Sequence, residues 1–279
     1  NVLNLLLNAF FLFVVHWGVA GVALATVISR LVNLIIVMLC SRILVHAKER
    51  PERISNREIL LQILRVGIPS ALETAIYNIA MTITIRFLNT MDENGVNVTA
   101  RAYAMQITNF SYCIGAALAQ ANAIMTGWRI GAHDYDACDK GTKKAALIGV
   151  VVAALLETTF ALCAEPIMRL FTDDPAMISL VGKLLAIDIA LEIGRVTNLV
   201  FVQALKTSGD AVFPSIMATC FMFLCNVGGT YFFGIHLGLL AVGAYIGMAS
   251  DEIIRAIFMV LRWQTGKWRQ KGFITESAS

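Results

Sequence analysis

Charge is what this sequence has least of. Asp, Glu, Lys and Arg together make up 15% of its 279 residues, against about 25% in a typical soluble domain. Proline is nearly as scarce, with five, and histidine numbers only four. The six cysteines (Cys40, Cys113, Cys138, Cys163, Cys220, Cys225) are scattered, with no CxxC and no Cys/His ligand spacing, which excludes a zinc module and a disulfide framework. They read as small apolar fillers of packed helices. No GxxxxGK[ST] stretch occurs, so an ATP-driven P-loop machine is excluded, and no nucleophile or metalloenzyme motif points to an enzyme. The net charge of +3 is too small to suggest a nucleic-acid partner. What the chain does have is apolar residues, 58% of the total, with a mean hydropathy of +0.72. That balance, arranged in long uncharged runs, places it in the membrane class with the lipid bilayer as its first partner.

Eight apolar segments can be marked, each near the ~20 residues that span a bilayer. They cover residues 1–16, 19–45, 59–88, 100–128, 145–164, 178–205, 212–233 and 239–263. The first begins inside an apolar run and without Met, so the sequence reads as a fragment lacking its natural N-terminus. Alternate loops are basic. Lys48, Arg50, Arg53 and Arg57 follow the second segment; Arg129, Lys140, Lys143 and Lys144 follow the fourth; Lys206 follows the sixth; and Lys267, Arg269 and Lys271 follow the eighth. The intervening loops hold Arg169 alone. By the positive-inside rule the basic loops and the C-terminus are expected in the cytoplasm, in a cell (inner or plasma) membrane. A weak repeat matches the stretch from His16 to Thr26 with that from His236 to Ile246, an offset of 220 (236 − 16). Matching segment two to segment eight makes a six-span unit, and two such units make twelve. Repeats that meet near the bilayer midplane belong to secondary transporters.

The chain is organised around residues 184–214, LLAIDIALEIGRVTNLVFVQALKTSGDAVFP. It reads as a long apolar helix with Asp188, Glu192 and Arg195 at i, i+4 and i+7, on one narrow face. Asn198 and Gln203 extend that face, and the Ser208-Gly209-Asp210 turn ends the helix. Charges in the middle of such a helix face a partner or a water-filled cavity.

These features together resemble the multidrug and toxic compound extrusion (MATE) transporters. The resemblance rests on Asn4-x3-Asn8 before Gly18-Val-Ala-Gly21-Val-Ala-Leu-Ala-Thr26, on Val66-Gly-Ile-Pro69-Ser-Ala-Leu-Glu73, and on Phe171-Thr-Asp-Asp-Pro175. It also rests on Leu191-Glu-Ile-Gly-Arg195-x2-Asn198 with Ala204-Leu205-x3-Gly209-Asp210, and on Gly238-x4-Gly243. It implies an all-α, polytopic fold of twelve helices in two lobes, of which this chain supplies eight. Residues 1–45 would be the last two helices of the N-lobe, 46–58 a cytoplasmic linker, 59–263 the complete C-lobe and 264–279 a cytoplasmic tail. It also implies antiport, a small-molecule substrate leaving as Na+ or H+ enters, with no cofactor beyond that ion and a monomer as the working form. Members that bind Na+ in the C-lobe use a Glu and an Asp. Tyr77 and Arg195 occupy those positions here. A fixed guanidinium repels a cation, so the Na+ site is not carried over.

The remaining candidates each have two readings. Glu73, Asp188 and Glu192 are candidates for ion coupling; alternatively Glu73 is one half of a structural salt bridge to Arg195, and Asp188, Glu192 and Arg195 neutralise one another along their helix. Tyr77, Gln106, Asn109, Arg195, Asn198 and Gln203 are candidate cavity or substrate residues, or else interhelical glue. Asp251, Glu252 and Arg255 read as a self-satisfied structural cluster. Glu157 stands alone in the fifth segment, with no partner near it in sequence. The expected function is export of amphiphilic, cationic drugs or toxic compounds. The alternatives are a flippase for lipid-linked oligosaccharides in the same superfamily, which calls for several cavity arginines, and a receptor or scaffold that transports nothing.

Overall fold

The computed structural model describes residues 1–44, 56–91 and 95–270. Most of the expected inter-lobe linker and of the expected tail lie outside these residues. The chain is helical: α1 (Val2–Val14), α2 (Gly18–Leu44), α3 (Asn56–Thr90), α4 (Val96–Gly131), α5 (Tyr135–Leu162), a short α6 (Ala164–Met168), α7 (Pro175–Thr207), α8 (Val212–His236) and α9 (Leu240–Gln264). A 3-10 turn, Lys267–Gln270, follows. Two compact units result, Asn1–Asn56 and Arg57–Ser279.

All eight apolar segments are helical, but they differ in kind. Among the described residues three helices are long and apolar enough on their own to cross a membrane: Gly18–Arg42, Tyr135–Leu162 and Val212–His236. Helices α3, α4, α7 and α9 carry more polarity, and on α7 and α9 the charged residues Asp188, Glu192, Asp251, Glu252 and Arg255 are buried. Helix α5 starts ten residues before the expected apolar boundary (145 − 135). The Asp134 side chain caps it by accepting from the Ala137 N–H at 3.0 Å, and Lys143 bonds Asp139 one turn along at 2.7 Å. Helix α7 starts in the same way, with Asp174 accepting from Ala176 N–H at 2.9 Å and Pro175 in the first turn.

The repeat is present in the backbone, in a register two residues away from the one expected. Helix α1 ends in a π-helical stretch, Phe10–Val14, and α8 ends in another, Thr230–His236. Positive φ follows at His16 and Gly18 in the first case and at Gly238 and Leu240 in the second. The offset is therefore 222 (238 − 16, 240 − 18) rather than 220. Packing follows the same register. A side-chain carbon on Gly21 would stand 2.7 Å from Phe11, and one on Gly243 would stand 2.4 Å from the backbone of Phe233. Residue identity aligned the two histidines, whereas the turn geometry aligns the close approaches.

Helix α7 is the axis of the larger unit. Two apolar clusters form along it. One gathers Leu88, Ala104, Val181, Leu184, Leu185, Leu191 and Tyr245, and the other Val196, Val200, Phe201, Ala204, Trp263 and Trp268. Glu192, Gly194 and Arg195 fall between them. The side chain of Val196 seats where side-chain carbons on Gly115 of α4 and Gly149 of α5 would come within 2.6 and 2.5 Å of it. The small residues of α4 and α5 thus let these two helices close against α7. Gly194 does the same toward α9: a carbon there would lie 2.9 Å from the Ile253 amide nitrogen. This contact brings the α9 acids beside Arg195.

Candidate functional site

A cavity of about 370 Å³ opens in the larger unit beside α7. Its walls include Met105, Leu199, Val202, Met248 and Met259, with Tyr77 and Tyr112 as aromatic surface. Its polar lining is Glu73, Thr108, Asn109, Asp188, Arg195, Asn198, Tyr245, Glu252 and Arg255. The α7 contributions recur every three or four residues, as one helical stripe requires.

Arg195 is the hub. It donates to Glu192 one turn back, lies 3.5 Å from Glu252 on α9, and places its guanidinium 5.9 Å from the centre of the Tyr112 ring. Asn198 donates to the other oxygen of Glu252 at 3.1 Å. Arg255 closes the network, at 2.9 Å from Glu252 and with two hydrogen bonds to Asp251 at 3.0 and 2.7 Å. The expected cluster of Asp251, Glu252 and Arg255 is therefore not self-contained, because Glu252 is shared with α7. The expected neutralisation along α7 is also incomplete. Glu192 takes Arg195, but Asp188 makes no ion pair with it, and one oxygen of each acid has no hydrogen-bond partner.

Glu73 is not a partner of Arg195. Its carboxylate accepts from Lys206 at 2.9 Å and from Ser215 of α8 at 2.8 Å. Lys206 lies eleven residues beyond Arg195, about three turns along the same stripe. Its place on that face was readable in the spacing, but it reads equally as a loop cation. Gln203 lines a neighbouring pocket with Lys206 and Glu73. Gln106 is exposed and lines neither pocket, so it leaves the set of cavity residues; its neighbours Met105 and Asn109 occupy the lining in its place.

Three groups that sequence reasoning did not place belong to this region. Tyr245 of α9 is buried in the cavity wall with its hydroxyl unpartnered. Arg101 of α4 is buried, touches the Met81 sulfur at 3.5 Å and leaves its Nε–H unpartnered. Glu157 of α5 is completely buried. A signal for it existed: the buried face of α5 runs Cys138, Thr142, Ala146, Gly149, Ala153, Glu157, a helical stripe of small residues that ends on the acid.

Comparison with known proteins decides the family. The MatE family profile matches residues 69–232. The chain belongs to the MatE family. It is 34% identical over 257 residues to the uncharacterized transporter YisQ of Bacillus subtilis (strain 168), covering 91% of this chain and 56% of that protein. It is 24% identical to multidrug and toxin extrusion protein 1 of Homo sapiens, covering 94% and 45%. Among solved structures, a MATE protein in the straight conformation superposes with a TM-score of 0.81 at 24% identity, covering 96% of this chain and 61% of that one. An outward-facing multidrug resistance MATE family transporter gives 0.81 and 24%, covering 97% and 62%. The fold is thus the all-α, membrane-embedded MATE fold, and the family is one of transporters rather than enzymes. The chain spans about half the length of the curated relatives it matches.

Proposed function

We propose that this chain is part of a secondary transporter that exports amphiphilic, cationic compounds by antiport with H+ or Na+. The observation that carries the reading is the cavity itself. A wall of methionine, aliphatic and tyrosine side chains suits bulky apolar cations of varied shape, and it meets a charged network in the middle of α7 and α9. Relatives named for multidrug resistance, among them NorM of Thermotoga maritima (strain ATCC 43589 / DSM 3109 / JCM 10099 / NBRC 100826 / MSB8) at 23% identity, support the substrate class.

Asp188 and Glu192 are the coupling groups in this reading. Each has an unpartnered oxygen, and Asp188 lines the cavity. An ion that binds them better in one access state than in the other shifts the equilibrium between the states. Glu73, held by Lys206 and Ser215, is a coupling group only if that pair opens during the cycle. Residues 1–45 form the end of one lobe and 59–263 the whole of the other, joined by 46–58. The protein works as a monomer in the cell membrane, with its basic loops and C-terminus cytoplasmic. A lipid-linked diphosphate would need free cavity guanidinium groups, yet Arg195 and Arg255 are both engaged by acids. This favours a cationic substrate.

The test is accumulation of a fluorescent cationic dye in cells lacking their main efflux pumps, with the full-length protein expressed and external pH and Na+ varied. Lower accumulation that follows a cation gradient and disappears in Asp188→Asn, at matched abundance, is the expected result. Accumulation equal to that of the empty vector across all conditions would remove the drug-export reading for those dyes.

A further inference from the structure

Glu157 takes no part in the ion-pair network. It is fully buried, and neither of its carboxylate oxygens has a hydrogen-bond partner. The groups facing it come from each helix packed around it. Helix α7 presents Asp188, Glu192 and Arg195 within electrostatic reach, and α4 presents the Ser111 hydroxyl. Tyr245 of α9 lies within reach of Glu157, Asp188 and Arg101. The Ser111 and Tyr245 hydroxyls are themselves buried and unpartnered. Two hydroxyls and two further acids thus lie within electrostatic reach of Glu157 inside the helix bundle.

The charge balance there is uneven. Glu157, Asp188, Glu192, Asp251 and Glu252 stand against Arg101, Arg195 and Arg255, five acids to three guanidinium groups. Arg195 and Arg255 are already engaged by Glu192, Asp251 and Glu252. An ionised carboxylate with no hydrogen bond and another carboxylate as neighbour is the least favourable species such a place can hold. A proton removes the charge and supplies the missing donor, either to Asp188 or to the Ser111 oxygen. A metal ion fits less well, because among the described residues no three His, Cys, Asp or Glu side chains converge in a way that would hold one.

We infer that Glu157 is a proton-binding site, loaded in this conformation, which exchanges its proton with the cavity through Asp188. Among the described residues, Asp188 is the one acid that both lines the cavity and lies within electrostatic reach of Glu157. The step moves one proton between two carboxylates and changes no other bond. Its role in coupling rests on the antiport reading above; the location of the proton does not.

The test is infrared difference spectroscopy on the full-length protein in detergent, comparing high and low pH in water and in D2O. A carbonyl band of a protonated, unhydrated carboxylic acid is expected, lost in Glu157→Gln and altered in frequency in Asp188→Asn. Glutamine reproduces the shape and donor capacity of the protonated acid, so the variant is expected to fold. Thermal unfolding checks this. Saturating Na+ at fixed pH is expected to leave the band in place. Superimposable wild-type and Glu157→Gln spectra, or displacement of the band by Na+, would overturn the inference. Dye transport in proteoliposomes keeps the two readings apart. A Glu157 band in a protein that moves no dye leaves the proton site standing and sinks the antiport reading. Dye export without the band does the reverse.

Discussion

Around the C-terminal ends of α7 and α9, four cations each have a carboxylate of their own: Lys206 with Glu73, Arg262 with Asp210, Arg269 with Asp136 and, on α5, Lys143 with Asp139. In the middle of the same helices, four acids (Asp188, Glu192, Asp251 and Glu252) stand beside two guanidinium groups, Arg195 and Arg255, and one oxygen each of Asp188 and Glu192 has no partner. The first arrangement is what joining helices requires. The second keeps buried charge in excess, which packing alone does not call for, since apolar residues of similar volume serve as well or better. A group kept at such cost reads as exchanging something.

The difference can be broken at its hub. Arg195→Met leaves Glu192 and Glu252 facing each other with one guanidinium fewer, and removing one partner of a buried pair costs about 3–5 kcal/mol. The largest drop in thermal stability of the full-length protein in detergent is expected here. Adding Glu192→Gln and Glu252→Gln should recover much of it, and failure of that rescue would argue against the charge account. Next comes Gly194→Val, which thrusts a branched side chain onto the backbone at Ile253. Overpacking of this kind costs about 1–3 kcal/mol. The variant should also separate Glu252 from Arg195, seen as a parallel loss of dye export.

Smaller effects are expected where charges pair singly. Glu73→Gln removes a half-buried ion pair but keeps an acceptor for Ser215, so a loss on the order of 1 kcal/mol is expected. The double exchange Glu73→Lys with Lys206→Glu should regain stability if pairing is all that matters there. Dye export that stays lost in the stable double exchange would move Glu73 into the coupling set. The smallest effect belongs to Glu165→Ala. Its pair with Arg169 is solvent-exposed on both sides, and a change within about 0.5 kcal/mol is expected. A larger change would show that counting partners is a poor guide in this protein.

Much of the fold was legible because helices announce themselves locally. Apolar runs of bilayer length and the Gly-containing turns are properties of neighbouring residues. The α7 stripe was legible for the same reason, since Asp188, Glu192, Arg195 and Asn198 lie on one face by spacing alone. Partners were not. As a salt-bridge partner for Glu73, segment-by-segment reading offers Arg195, whereas Lys206, three turns further along α7, holds it. Residue identity favours the histidines over the turn, which places the repeat two residues from the register of the backbone.

The sequence by itself determined which segments are helices, that they belong in a membrane, and which face of α7 is polar. These follow from backbone periodicity and transfer energy, which depend on residues close in the chain. Only the tertiary structure decided that Glu252 belongs to Arg195 as well as to Arg255, that Gln106 is exposed outside the cavity lining, and that Glu157 is completely buried. Helix rotation and depth are set by where small residues allow close approach: Gly194 against Ile253, and Gly115 and Gly149 around Val196. Those contacts join residues tens of positions apart, and no spacing rule within one helix contains them.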